Sequence, residues 1–200
     1  MYDKFLKDLE RSAPHEARTA NLVIRKSKRT IRDLQFTCEA DLYEEMKAKD
    51  FIVTFEEGQV MFEHKADFKA TQTWNLAIEH MCNNTRSGLA STKAQVWISS
   101  VQEPQTGIWR AYYVNVQALR RILFSDQFPA LCQPNMKTRG LYEDSYWHKL
   151  DSNWASGDKS SSCFFRLCIE MHIETHKDLW GRLDLAEDGS IDWLLVAADK

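Results

Sequence analysis

The sequence predicts an α/β fold, with a core of strands and helices over residues 1–145 and a C-terminal extension over residues 146–200 packed on it. Two observations support this prediction. Short runs of β-branched and aromatic residues, bounded by turn residues, recur along the chain and are typical of strands. Other segments carry apolar residues at helical spacing. A chain of 200 residues is long enough to bury a substantial core as one domain with a modest extension.

Two helices are expected before the first strand. Residues 3–10 alternate charge with the apolar Phe5 and Leu6, which predicts a short amphipathic helix. A second helix begins at Ser12, because a small polar cap followed by Pro14 and an early acid is a typical helix start. This helix extends through residues 17–29, and its predicted buried face consists of Ala17, Ala20, Val23 and Ile24.

A β-hairpin follows a polar segment at residues 39–49, which forms either a loop or one short helix. Phe51–Phe55 is a β-branched and aromatic run, and residues 60–62 form a second such run. The two runs flank a short turn that contains Gly58, and this arrangement is typical of a hairpin.

The rest of the chain predicts further strands and one helix. Residues 115–124 are typical of a strand end that leads into a helix, and this helix carries Leu119, Ile122 and Leu123. The strand-like runs are residues 76–78, 95–99, 109–116, 163–169 and 191–197.

Composition and cysteine usage narrow the class of protein. No apolar run approaches the roughly eighteen residues of a membrane helix, and the N-terminus lacks the continuous apolar segment of a secretory signal. The five cysteines are an odd number without framework spacing, so we expect reduced thiols in a cytoplasmic protein rather than a disulfide scaffold. Neither a glycine-rich phosphate loop nor a nucleophile elbow is present, so nucleotide-driven and serine-hydrolase chemistry has no support.

Charge patterning is informative only locally. The net charge of −3 is too small to indicate a partner, so any nucleic-acid binding must depend on local basic patches. One basic run is evident, and it contains Arg25, Lys26, Lys28, Arg29 and Arg32. Such a run forms either a solvated helix face or a contact with a nucleic-acid backbone.

Three polar residues of the predicted hairpin have a spacing that suits phosphodiester hydrolysis. Asp50 stands where the first strand begins, and Glu63 and Lys65 share one face of the second strand because strand side chains alternate. Pairing of the two strands brings Asp50 beside them. Asp50 and Glu63 would supply hard oxygen ligands to Mg²⁺, while Lys65 would position the attacking water or stabilise developing charge. The alternative is a cross-strand salt bridge, which the same residue types explain as well.

The surrounding sequence resembles a subset of the PD-(D/E)XK nucleases over about residues 14–125. The resemblance lies in the ordered segments KDFIVTFEEGQVMFEHKAD, ATQTWNLAIEH and RSGLASTKAQVWISS. It implies a restriction-endonuclease-like core, in which helices flank a mixed central β-sheet, with an acid before the hairpin and an acid-x-Lys on its second strand. Asp50, Glu63 and Lys65 occupy these places.

Further positions match the pattern of this subset. Glu16 matches an acid on the helix before the hairpin, and Glu79 matches an acid that is either a second metal ligand or a partner for a basic neighbour. Lys49 and Trp74 stand where the subset has Pro and Gly, so a different local turn is expected at Trp74. The remaining matches are Thr73, Asn75, Ser87, Gly88, Thr92, Lys93, Ala94, Tyr112, Tyr113, Leu119, Arg120 and Arg121.

The resemblance implies a metal-dependent nuclease, of phage or bacterial type, that hydrolyses DNA phosphodiester bonds with Mg²⁺ or Mn²⁺. The expected metal ligands are Asp50 and Glu63, and the expected catalytic residues are Asp50, Glu63, Lys65, Glu16 and Glu79. The expected nucleic-acid contacts are Trp74, Arg25, Lys28, Arg29 and Lys93, of which the last alternatively caps a helix start. A homodimer would suit symmetric cutting of both strands. The alternative is a catalytically inactive module of the same fold that binds nucleic acid or a partner protein.

Overall fold

The strands of this chain form two β-sheets. The computed structural model describes residues 2–37, 50–68, 70–82, 85–124, 147–151, 162–169, 173, 177–183 and 190–198. The strands within these ranges are β1 (Ile31–Phe36), β2 (Phe51–Phe55), β3 (Gln59–Asp67), β4 (Asn75–Cys82), β5 (Thr85–Arg86), β6 (Val96–Gln102), β7 (Trp109–Asn115), β8 (Trp147–Asp151), β9 (Ser162–Cys168) and β10 (Trp180–Leu183). The helices there are α1 (Tyr2–Arg25), α2 (Ala70–Thr73), α3 (Val116–Leu123) and α4 (Trp193–Ala197), and Gly88–Ala90 form a turn of 3₁₀ helix.

The larger sheet is mixed. Its strand order is β1-β2-β3-β6-β7-β10, and every neighbouring pair is antiparallel except β3 and β6, which run parallel. The smaller sheet has the order β5-β4-β9-β8 and is antiparallel throughout. Parallel pairing requires a crossover connection, and the chain between β3 and β6 supplies it through α2, β4 and β5. The mixed central sheet with few helices confirms the predicted α/β class.

An apolar cluster lies on each face of the larger sheet. On one face, Phe62 and Ile98 belong to an apolar cluster that also contains Ala20 and Val23 of α1 and Trp193 of α4. The other face packs against the smaller sheet and α3. This second cluster, the inter-sheet cluster, includes Leu76, Ile78, Trp97, Val101, Leu119, Leu123, Phe165 and Leu167. The larger sheet is therefore the middle layer, with α1 on one side and the smaller sheet on the other.

A single helix replaces the two helices expected at the N-terminus. α1 runs without interruption through Ser12 and Pro14, so the predicted helix start at Ser12 is wrong. Proline lacks the N–H that would bond to the preceding turn and so disfavours a helix interior. Burial of Ala20 and Val23 against the sheet stabilises this helix, since tertiary packing outweighs local propensity. Ala17, which was expected on the buried face, is exposed.

Most of the local predictions are confirmed. β2 and β3 form the expected antiparallel hairpin, in which the N–H of Phe55 donates to the carbonyl of Gly58 (2.7 Å). The predicted helix at residues 115–124 is α3, and the Asn115 side chain caps it by accepting from the N–H of Ala118 (2.9 Å). The strands expected at residues 76–78, 95–99, 109–116 and 163–169 correspond to β4, β6, β7 and β9.

A short helix replaces the strand expected at residues 191–197. α4 occupies most of this segment, and Asp192 caps it by accepting from the N–H of Leu195 (3.3 Å). The Trp193 ring is fully buried, and its Nε1 donates to the carbonyl of Val23 in α1 (3.0 Å). Periodicity cannot separate a strand from a helix in so short an apolar run, and here the cap and the buried tryptophan select the helix.

The C-terminal part of the chain is built into both sheets. β9 is an inner strand of the smaller sheet between β4 and β8, and β10 extends the larger sheet beyond β7. The predicted boundary at residue 145 stays a prediction, although strands beyond it pair with strands before it. The loop or helix expected at residues 39–49 lies outside the described residues. No helix in the described ranges is long and apolar enough to span a membrane.

Candidate active site

The β2–β3 hairpin opens at the position of Asp50. The strand pairing ends at Phe62, whose carbonyl accepts the N–H of Asp50 (2.8 Å). Beyond this point the Asp50 side chain takes over from the backbone, because its Oδ2 accepts the N–H of His64 (2.5 Å). The carboxylate therefore lies against the segment of β3 that carries Glu63 and Lys65.

Glu63 and Lys65 share one face of β3, and His64 points to the opposite face. The Lys65 Nζ lies 3.3 Å from Glu63 Oε1, so the two side chains form an ion pair. The Glu63 side chain is 7% exposed, whereas the Lys65 side chain is 47% exposed. The acid is thus buried, while the side chain of its partner is about half exposed.

A hydroxyl orients the second oxygen of Glu63. Thr92 Oγ1 donates to Glu63 Oε2 (3.1 Å), and Thr92 is itself buried. Arg120 of α3 holds the backbone of this segment, since its Nη2 donates to the Thr92 carbonyl (2.7 Å) and its Nε donates to the Leu89 carbonyl (2.8 Å). Neighbours from distant parts of the chain therefore fix the Glu63 carboxylate.

Glu79 of β4 is bound by the segment that also orients Glu63. The hydroxyl of Ser87 donates to Glu79 Oε1. Gly88 permits this close approach, because its φ is +46° and a Cβ at this position would lie 2.3 Å from the Glu79 carbonyl oxygen. The segment that includes Ser87 and Thr92 thus carries one hydroxyl to each of two glutamates.

The carboxylates of the site concentrate negative charge in a buried region. Burial raises the pKa of Asp50 to about 7, and the Glu63 carboxylate adds to this effect while Lys65 opposes it. Burial and the Glu63 carboxylate likewise raise the pKa of Glu16 on α1 to about 7. The charges of Glu63, Asp50 and Glu79 in turn raise the pKa of Lys65 above its ordinary value. The five residues predicted as catalytic therefore act on one another electrostatically.

A buried polar triangle holds α1 against the sheet next to the site. His64 Nε2 lies 2.9 Å from Ser100 Oγ and 3.1 Å from Thr19 Oγ1, and the two hydroxyls lie 3.2 Å apart. Burial, aided by the charge of Lys65, lowers the pKa of His64 to about 3, so the ring is neutral at neutral pH. Thr19 follows Glu16 by about one helical turn, so the triangle also positions Glu16.

The donor set of the site suits a hard divalent cation. Among the described residues, no three His, Cys, Asp or Glu side chains are arranged to hold a metal ion. Mg²⁺, however, binds proteins through one or two carboxylates and keeps several waters. Asp50 and Glu63 supply such oxygens, and the raised pKa of Asp50 reports negative charge that a cation would offset. The residues present therefore fit Mg²⁺ or Mn²⁺.

Trp74 occupies a strained turn between α2 and β4. Its φ of +49° lies in the left-handed region, which glycine adopts at little cost and other residues at about 1–2 kcal/mol. Trp74 thus adopts a backbone conformation that suits glycine, and the different local turn expected at this position stays a prediction. The Trp74 side chain is half-buried and packs against the inter-sheet cluster.

The basic run predicted to bind nucleic acid lies away from the carboxylates. Arg25 is the last residue of α1, nine residues beyond Glu16, which is about 14 Å along a helix. Lys28 is exposed just after the helix. Arg29 binds Asp192 through two hydrogen bonds (2.6 and 2.7 Å), and this pairing balances its charge. The structure therefore does not bring this run to the site.

The hydroxyls of Ser87 and Thr92 have no role predicted from the sequence. Both residues match the resemblance, but their bonds to Glu79 and Glu63 are evident only in the folded chain. Their position in the matched segment RSGLASTKAQVWISS is the signal that the sequence offered. Lys93, predicted to contact a phosphate, is exposed directly after Thr92 and so lies next to this part of the site.

A pocket of about 340 Å³ lies apart from these residues. It is lined by parts of β7, β10, α3 and α4, among them Tyr113, Trp180 and Leu195, and by none of the predicted site residues. The carboxylate cluster, in contrast, gathers ionisable groups whose pKa values are shifted by burial and by one another. Such shifts are typical of functional sites, so the cluster is the better candidate for chemistry.

The chemistry available at the cluster is cation binding and proton transfer. Two carboxylates suit the cation, one ammonium can contact a phosphate, and one acid has a pKa near neutrality. No family model, curated protein or solved structure matches this chain. The case for a function therefore rests on the residues of the site.

Proposed function

We propose that this chain is a metal-dependent nuclease that hydrolyses DNA phosphodiester bonds. The observation that carries the proposal is the meeting of Asp50, Glu63 and Lys65 at the point where the β2–β3 hairpin opens. This arrangement agrees with the resemblance to PD-(D/E)XK nucleases, which implies an acid before the hairpin and an acid-x-Lys on its second strand within a mixed sheet.

A purely structural salt bridge accounts for the site less well. Surface ion pairs are usually exposed on both sides and contribute little to stability. Here the Glu63 side chain is almost completely buried, and the carboxyls of Asp50 and Glu16 are close enough to it and to Lys65 for their pKa values to be shifted. Three acids around one ammonium leave excess negative charge in a buried region, which costs stability. A site that binds a cation explains why this charge is gathered there.

Each residue has a distinct role in the proposed hydrolysis. A metal ion held by Asp50 and Glu63 would lower the pKa of a water and stabilise charge on the phosphate oxygens. The Lys65 Nζ, anchored by Glu63 and carried on a half-exposed side chain, donates to the attacking water or to a phosphate oxygen. Glu16, with a pKa of about 7, exchanges a proton near neutral pH. Glu79 helps to keep Lys65 protonated.

We expect Lys65→Ala and Asp50→Ala to lower the rate of DNA cleavage at least about 100-fold, because each removes a group that acts on the reacting phosphate or its metal. The test incubates supercoiled plasmid and single-stranded DNA with the purified protein and with Mg²⁺, Mn²⁺ or EDTA. Lys177→Ala serves as the matched control, since it removes an exposed ammonium that is not among the predicted site residues. Circular dichroism establishes that each variant is folded.

The outcomes separate the nuclease from its alternative. Metal-dependent cutting that is lost in Lys65→Ala and kept in Lys177→Ala supports the nuclease and its centre. Equal cutting by the wild-type chain and Lys65→Ala means that the centre is assigned wrongly. Intact DNA under every condition, from folded protein, contradicts the nuclease and favours the inactive binding module, which would retain DNA equally well in EDTA.

A further inference from the structure

A second surface of α1 lies directly beside Glu16, and it combines arginines with aromatic rings. Arg11, His15 and Arg18 follow one another at intervals of four and three residues, which places them on one side of the helix. They meet Phe68, just after β3, and Trp109, at the start of β7. These five residues are called the arginine–aromatic surface.

An aromatic ring of this surface holds Arg11 in place. The Arg11 Cζ lies 3.7 Å from the centroid of the Phe68 ring, which is a cation–π contact. The His15 ring lies 4.0 Å from that of Trp109 and 5.3 Å from that of Phe68, centroid to centroid. An aromatic face attracts a guanidinium without neutralising its charge. The planar guanidinium of Arg11 is therefore pre-oriented while its N–H groups can still meet an acceptor.

Among the side chains that the structure describes, no acid lies within ion-pair distance of the two arginines of this surface. Arg11 and Arg18 are both exposed. Elsewhere among the described residues, Arg29, Arg32 and Arg110 each pair with an acid. Burial lowers the pKa of His15, and the charges of Arg18 and Arg11 lower it further, so the arginines set a positive field at this ring.

The surface is continuous with the carboxylate cluster. Glu16 follows His15 directly, and the charge of Glu63 raises its pKa, while Thr19 follows Arg18 and bonds to the buried His64 of β3. The same two turns of α1 therefore carry an acid toward the site and two arginines along its flank. A strand that passes the site would leave its neighbouring phosphates close to these arginines.

We propose that Arg11 and Arg18 bind the phosphate backbone of a DNA strand and hold it beside Glu16. The inference rests on the proposed nuclease function and adds the place where the substrate is held. A phosphodiester backbone suits the surface because it offers anionic oxygens at successive phosphates. One guanidinium can donate two parallel N–H bonds to such a phosphate. The basic run that ends with Arg32 lies at the other end of α1 and is not part of this surface.

The test measures binding without cleavage. Fluorescence anisotropy follows a labelled 20-nucleotide strand, and the duplex of the same sequence, in EDTA at several salt concentrations. We expect the double variant Arg11→Gln/Arg18→Gln to raise the Kd about 10-fold at low salt. We also expect the slope of log K against log salt to fall in magnitude by about 1–2, because fewer counterions are released from the DNA on binding when a phosphate contact is lost. The matched control Arg86→Gln removes an exposed arginine of β5 and is expected to change the Kd less than about twofold.

Three further variants test how the surface works. Phe68→Leu keeps an apolar side chain but removes the ring that orients Arg11. Because only Arg11 is affected, we expect a smaller rise in Kd, of about 2–3-fold. The single variants Arg11→Gln and Arg18→Gln serve if the double variant is unfolded by circular dichroism, and each is expected to account for part of the loss. Unchanged binding by both folded single variants contradicts the proposal.

Other results distinguish failure of this inference from failure of the proposed nuclease function. Equal losses in Arg86→Gln and the double variant mean that only net charge matters, and the proposal fails. Loss of binding to phosphatidylglycerol vesicles with unchanged DNA binding assigns the arginines to a membrane surface and overturns it. Normal cleavage with an unchanged KM in the double variant also overturns it, while the nuclease stands. Weakened binding in the double variant of a chain that cleaves no DNA supports the surface and removes the nuclease.

Discussion

Asp50 carries a charge that the folded state does not favour. The ordinary pKa of an aspartate is about 3.8, and burial together with Glu63 raises it to about 7 in the fold. Between these two values the folded state binds more protons than the unfolded chain. The free energy of unfolding contributed by this group therefore falls as the pH rises from about 4 to 7, and the cost is complete above pH 7.

We expect Asp50→Asn to stabilise the metal-free protein at pH 8 by on the order of 1–2 kcal/mol, or roughly 2–8 °C in Tm. The amide oxygen can still accept the N–H of His64, while the buried charge is removed. The gain should shrink as the pH is lowered toward 4, because the wild-type carboxyl is then protonated in the folded state and no buried charge remains to be removed. Thermal unfolding followed by circular dichroism in EDTA measures both values, and a gain of equal size at both pH values would contradict the assignment.

At the scale of elements, the segment after β5 determines how two glutamates of the site are oriented. It delivers the hydroxyls of Ser87 and Thr92 to Glu79 and Glu63, and Arg120 of α3 fixes its backbone. The whole arrangement depends on Gly88, whose positive φ and lack of a side chain let the turn approach the backbone of β4. A local backbone requirement is thus coupled directly to the geometry of the carboxylates.

Gly88→Ala is expected to destabilise the protein by at least about 2 kcal/mol and to lower cleavage at least about 10-fold, because a Cβ would lie 2.3 Å from a backbone oxygen of Glu79. Gly107→Ala is the matched control. Its φ of +69° is also positive, but the nearest atom to its Cβ is the flexible Gln102 Nε2 at 3.6 Å. We expect about 1 kcal/mol there and unchanged cleavage. Urea unfolding and the plasmid assay test both, and equal losses would rule out the role of the close contact.

At the scale of the whole molecule, the chain beyond residue 145 completes both sheets. β9 buries Phe165 and Leu167 against the inter-sheet cluster, and β10 places Trp180 beside β7. α4 covers the opposite face of the larger sheet with Trp193. Both apolar clusters therefore include residues from this part of the chain, so the candidate site rests on a scaffold that the first 145 residues do not complete.

A chain truncated after residue 145 is expected to lose cooperative folding. Removal of β9, β10 and α4 exposes the apolar faces of β4, β7 and α1 and leaves unpaired strand edges. Near-ultraviolet circular dichroism and thermal unfolding of residues 1–145, compared with the full chain, give the readout. A sharp thermal transition in the truncated chain would instead establish an independent core that ends near residue 145.

Local patterns were sufficient for much of the fold and for the centre of the candidate site. Alternation of apolar and polar residues, turn residues and helix caps act within a few positions along the chain. These signals predicted the hairpin, β4, β6, β7, β9 and α3. The spacing of Asp50, Glu63 and Lys65 follows from the same alternation. The start of α1 and the segment at residues 191–197 were predicted wrongly. In the second case, packing of Trp193 against α1 outweighs what its neighbours in sequence favour.

The sequence by itself determined which residues can share a strand face and where turns separate the strands, since these depend on backbone geometry over a few residues. Only the tertiary structure decided which distant residues meet. Glu16 reaches the site because the buried His64 binds Thr19 of the same helix, and Glu63 is oriented by Thr92, 29 positions later in the chain. Such contacts depend on how buried layers pack and on how buried polar groups find partners, and neither leaves a periodic signal in the sequence.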